Sequence, residues 1–197
     1  MMKTIVVLLL LVAVVWGIRH EKPAKWAGMP ARAEPVQTTS KLPPAFTHED
    51  YSIQPLASYS VTAVVLSRDR YRFDPMADLA PVDLALGWGP MSIASAINEL
   101  SISQSGRFYE CSWRNEPPLE PDLIARSSAN THCLPKDAAI RRQLLAVKRH
   151  DLVTLEGYLV EVSDPKGGRW RSSLTRDDTR GGACEVLWVT AVKRRPL

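Results

Sequence analysis

Whatever chemistry this chain performs must come from a short set of side chains: four histidines, three cysteines and a few polar clusters. His20 and His48 fall in a proline-rich stretch and are expected to be solvated, and His150 precedes a predicted strand. His132 is the one candidate catalytic residue. It lies in Ser128-Ala129-Asn130-Thr131-His132-Cys133-Leu134-Pro135, read as a loop between two helices with Asp137 nearby, where an imidazole can act as general base. The competing role of that loop is local: Asn130, Thr131 and His132 bond neighbouring backbone and hold its shape.

The cysteines are Cys111, Cys133 and Cys184. In an exported protein Cys111 and Cys133, both flanking predicted loops, are the expected disulfide pair. Cys184 opens an apolar strand and reads as a small buried hydrophobe. The reactive alternative is a cysteine nucleophile with a histidine partner. Ser172-Ser173 and Asp177-Asp178 supply the parts of a Ser/His/Asp set, but no Gly-x-Ser-x-Gly elbow accompanies them. Asp177 to Gly182 lacks the closing ligands of a calcium loop, and neither paired Cys-x-x-Cys spacing nor a glycine-rich phosphate loop is present. No metal and no cofactor is therefore expected.

Binding chemistry is signalled by charge. The net charge is +4, unevenly placed. Residues 51–135 hold 6 basic and 9 acidic side chains, net −3, and residues 136–197 hold 13 and 8, net +5. Within the basic third, Arg141, Arg142, Lys148 and Arg149 are expected on one outward helix face, and Arg169-Trp170-Arg171 resembles an aromatic platform between cations. These seven residues are the candidate binding surface for an anionic polymer such as nucleic acid or polysaccharide; a pair of solvated faces accounts for the same pattern.

The elements that would position these groups begin after an apolar run, Ile5 to Ile18. Fourteen helical residues rise about 21 Å, short of the roughly 30 Å hydrocarbon core. Residues 1–18 are read as a signal-anchor or signal peptide that contacts the membrane through residues 5–18, and residues 19–50, with five prolines, as a linker. Residues 51–197 are expected to form a single α+β domain: a small curled antiparallel sheet or partly open barrel with three or four short helices. Strands are expected near Tyr59–Val65, Arg107–Trp113, Leu152–Val162 and Cys184–Val192. Helices are expected after Pro90, over Pro121–Ala129 and from Asp137 to Arg149, with a helical turn at Pro81–Leu86. A parity slip in the third of these strands is assigned to a bulge at Gly157.

With no motif that specifies a reaction, the expected function is a membrane-tethered or exported interaction domain without catalytic activity, in a bacterial-type envelope. It would sit in the inner membrane with its domain in the periplasm, a secreted form or a cytoplasmic domain being the alternatives. Its partner would be an anionic or protein component of the envelope, and a small-molecule substrate is not specified. The alternatives are a hydrolase centred on His132 and an anionic-polymer binder.

Overall fold

The computed structural model describes residues 23–177 and 184–197. The expected α+β class does not hold. The described chain is 47% strand and 14% helix, built on an eight-stranded mixed sheet. The strands are β1 (Val36–Thr38), β2 (Phe46–His48), β3 (Tyr51–Arg70), β4 (Val82–Gly87), β5 (Leu100–Ser105), β6 (Phe108–Trp113), β7 (Ser128–Pro135), β8 (Asp151–Ser163), β9 (Arg169–Arg171) and β10 (Glu185–Pro196). The α-helices are short: α1 (Ala94–Asn98), α2 (Pro121–Arg126) and α3 (Ala138–Ala146).

The physical reason for the miss is burial. Every residue of β4 and β7 is buried, so neither shows the alternation that marks a half-exposed strand. Pro81–Leu86 therefore read as a helical turn and residues 128–135 as a loop. The apolar stripe from Ile93 to Leu100 is one turn of helix running into β5.

The sheet closes on itself. β3 pairs with β4, β4 with β7, β7 with β10, β10 with β8, and β8 returns to β3. All these pairs are antiparallel except β7 with β10. The helix α3 lies between β7 and β8 in sequence and packs Ile140 and Leu144 into the interior with Val153, Leu155, Leu159, Leu187 and Val189. This order, with its single parallel pair, is the connectivity of a five-stranded Greek-key barrel of OB type. It speaks to architecture and leaves function to the side chains. Asp137 caps α3 as expected, its carboxylate accepting from the Ile140 amide at 2.8 Å.

The 20-residue β3 serves two sides of the barrel because it bends at irregularities around Leu56 and Leu66. The expected bulge at Gly157 is absent. β8 keeps one parity throughout, with Val153, Leu155 and Leu159 inside and Val160 and Val162 in a second cluster with Leu79, Leu134 and Trp188. The register shift lies on the partner strand, between Val189 and Ala191. A side chain at Gly157 would collide with the Trp188 carbonyl, which is why glycine stands there.

The stretch read as a linker packs on the barrel from Ala24 onward. Asn98 donates to the Ala24 carbonyl at 2.9 Å and accepts from its amide at 2.8 Å, and Trp26 Nε1 donates to the Ser92 carbonyl at 2.9 Å. Both β1 and β2 pair with β3. The Ile5–Ile18 run lies outside the described residues. The single-pass reading finds no support in what is described: among these residues no helix is long and apolar enough to cross a membrane.

Candidate functional site

His132 is on a central strand, not in a loop, and is buried. Alternation along β7 sends Ala129 and Cys133 into the barrel, and places Asn130, His132 and Leu134 on the opposite face of the strand. In the antiparallel β4–β7 pair, Asp83 stands directly opposite His132. The two strands thus place a carboxylate beside an imidazole on the outer face, with Asp83 Oδ2 2.8 Å from His132 Nδ1. The contact is an ion pair in distance, but neither atom has a hydrogen-bond partner in good alignment, so its strength is electrostatic more than directional.

Two further segments complete the group. Arg107, at the tip of the β5–β6 hairpin, donates through Nη1 to Asp83 Oδ1 at 3.1 Å. Its Nη2 donates to Asp74 Oδ1 at 2.7 Å and to the Ala80 carbonyl at 3.1 Å. The guanidinium lies 3.9 Å above the Tyr71 ring and 5.5 Å from that of Trp170. The Trp170 ring is 4.6 Å from the imidazole. Cys184, half-buried just before β10, has its sulfur 3.8 Å from Asn130 Nδ2 and contributes to the electrostatics of the imidazole.

The electrostatics follow from this arrangement. Burial works against a charged imidazole, but Asp83 and Cys184 outweigh it, and the His132 pKa is raised above its ordinary value. The hydrogen bond from Arg107 holds the Asp74 carboxyl below the usual carboxylate range. Burial, together with the charges of Asp83 and Asp69, keeps the Tyr71 phenol protonated.

A second ion pair involves a fully buried carboxylate. Arg176 grips Glu185, which is fully buried, and donates to the Tyr59 hydroxyl at 3.1 Å. Burial pushes the Tyr59 pKa up to about 12.

The other expected residues are placed differently. Cys111 and Cys133 are both free thiols. Cys133 points into the barrel while Cys111 packs under the hairpin with Ile102 and Trp113, so the expected disulfide does not form. Trp170 is no open platform: it packs on His132, while Arg169 and Arg171 both bind Glu161. Of the helix stripe, Arg142 and Lys148 are exposed, Arg141 donates to the Asp78 carbonyl at 2.7 Å, and Arg149 is half-buried. Asp177 pairs with the exposed Arg126 at 2.7 Å, far from the role of a triad acid, and Ser172 donates to the Ser173 carbonyl at 2.8 Å. Among the described residues, no group of three potential ligands is disposed to hold a metal ion.

Sequence reading missed Asp83 and Arg107. The available signal for Asp83 was an acid inside the apolar run Val82-Asp83-Leu84-Ala85-Leu86, which must be paired if that run is buried. For Arg107 there was none, because its partners lie 24 and 33 positions away. No family model, curated protein or solved structure matches the chain.

Proposed function

We propose that the protein is a thiol-dependent acyl-transfer enzyme, a hydrolase in which Cys184 is the nucleophile, His132 the proton carrier and Asp83 the group that stabilises the charged ring. The observation that carries this reading is a buried imidazole 2.8 Å from a buried carboxylate, with a half-buried thiol near enough to bias its charge. The Cys184 sulfur would attack a carbonyl carbon as its proton passes to the imidazole. The C–S bond forms, the bond to the leaving group breaks, and the imidazolium returns the proton to that group. Water, deprotonated by the neutral imidazole, then releases the acid and restores the thiol. Asn130 Nδ2 is the side-chain donor placed to meet the developing oxyanion; at present it donates to the Arg107 carbonyl at 3.0 Å.

The face carrying these groups is covered by Leu79, Ala80, Arg107 and Trp170. That favours a small or locally extended acyl substrate over a long polymer lying across the sheet.

The test is hydrolysis of simple thioesters and activated esters by the native protein, by Cys184→Ser and by His132→Gln. Both variants should lose at least 100-fold in kcat/KM, and the native protein should show acyl-enzyme by intact mass. Equal rates in all three, with no mass adduct on Cys184, overturn the reading.

A further inference from the structure

Arg107 reaches the site from the tip of a hairpin that lies outside the barrel sheet and is anchored to β7 along its length, by Gln104 on Asn130 at 2.7 Å and Tyr109 on Ser128 at 3.3 Å. The β5–β6 hairpin is inserted between β4 and β7 in sequence, and its tip turns through two left-handed residues, Gly106 with φ 56° and Arg107 with φ 69°. For a long side chain this backbone is strained, and several contacts hold it. They include the two carboxylates Asp74 and Asp83, the Ala80 carbonyl, the Tyr71 ring, the Tyr71 hydroxyl that accepts from the Arg107 amide at 3.1 Å, and Asn130, which donates to the Arg107 carbonyl at 3.0 Å. The guanidinium and the imidazole thus take opposite oxygens of one carboxylate.

We infer that docking of the hairpin tip regulates the site: Arg107 is a positioning residue that shares Asp83 with His132 and thereby lets the ring release its proton. This rests on the thiol-enzyme reading only for its consequence, since the imidazole is affected whether or not Cys184 reacts.

The charged and titratable groups around the ring are Asp83 from β4, Asp74 from the loop after β3, Arg107 from the hairpin and the Cys184 thiol just before β10; Trp170 from β9 is uncharged. With Arg107 in place, one fixed cation offsets the two carboxylates. With the tip withdrawn, both carboxylates act on the imidazole alone and bind its proton to higher pH. Hairpin docking and imidazole deprotonation are then linked equilibria: whatever displaces the tip locks the ring in its protonated form, in which it cannot serve as base.

The experiment is an NMR titration of His132 in a Cys184→Ser background, which removes thiol chemistry and so separates this inference from the proposed activity. Arg107→Gln should raise the midpoint by at least half a pH unit. Arg107→Lys, which keeps the charge, should fall between Gln and the parent, and millimolar guanidinium should move the Gln variant back. A midpoint unchanged or lowered in Arg107→Gln overturns the inference. If that variant does not fold, a Lys variant titrating identically to one lacking the Asp74 carboxylate (Asp74→Asn, Arg107→Lys) overturns it as well. Loss of thioester hydrolysis on Arg107→Gln in the protein that keeps Cys184, with no change in titration on Arg107→Gln in the Cys184→Ser background, would count against regulation by Arg107 and leave the catalytic reading standing.

Discussion

Asp83 and His132 occupy facing positions on the antiparallel strands β4 and β7, so the register of the barrel itself brings their side chains to 2.8 Å. Asp83 is fully buried, and its charge is compensated by His132 and Arg107. Asp83→Ala removes the partner of two cationic groups in a desolvated setting, and breaking such a buried pair costs roughly 3–5 kcal/mol. Urea unfolding should record that loss. A change under 1 kcal/mol would show that the pair is dispensable to the fold.

The pH dependence of stability has a definite sign. The folded His132 pKa is raised, so its contribution is complete below about 6.5, the unfolded value, and disappears as pH rises through the folded one. Asp74 runs the other way. Its folded pKa is depressed, so its contribution is present above about 3.8 and is lost as pH falls through the lower folded value. Thermal melts should decline on both flanks. In His132→Gln the alkaline decline should flatten while the acid one persists; an unchanged alkaline flank would mean that the ring carries no linkage.

The three thiols should separate by reactivity. Cys133 is fully buried and its pKa is pushed well up by that burial, and burial also raises that of Cys111. Cys184 is half-buried among polar groups. Brief treatment of the native protein with iodoacetamide should label Cys184 alone, as read by peptide mass, and unfolding should release the other two. Labelling of Cys111 ahead of Cys184 would contradict this order.

The segment before β3 should matter to the fold. Ala24 and Asn98 exchange two hydrogen bonds, and Asn98→Ala leaves both backbone groups of Ala24 without these partners. An unsatisfied buried group costs about 1–3 kcal/mol. A chain starting at residue 50 should melt well below one starting at residue 23. Coincident melts would return this stretch to the status of a spacer.

Gly157→Ala places a methyl group against the Trp188 carbonyl, a backbone atom that cannot rotate away. Overpacking of this kind typically costs about 1–3 kcal/mol. The midpoint should fall, with a smaller drop for Gly167→Ala, where the added carbon meets open space but strains a φ of 89°.

The legible parts of the fold were those with local signals. Asp137 announced the start of α3, and Ile140 and Leu144 announced its buried side. The final strand was legible from its apolar run. β4 and β7 were not, because burial on both faces erases periodicity. The candidate site was half legible for the same reason. His132 drew notice as a histidine among polar neighbours, while Asp83 and Arg107 acquire meaning only through the pairing of strands far apart in sequence.

The parallel pairing of β7 with β10 has a temporal consequence. Parallel strands cannot join through a tight turn, so β10 must wait until α3, β8 and β9 have been laid down before it can dock. Cys184 stands one residue before that strand and meets His132 only when the barrel is sealed. Asp83, His132 and Arg107 can assemble earlier, from segments already made. On the proposed mechanism the nucleophile is thus the last component delivered, and a partly folded or still-growing chain would be chemically silent until its closing seam is in place.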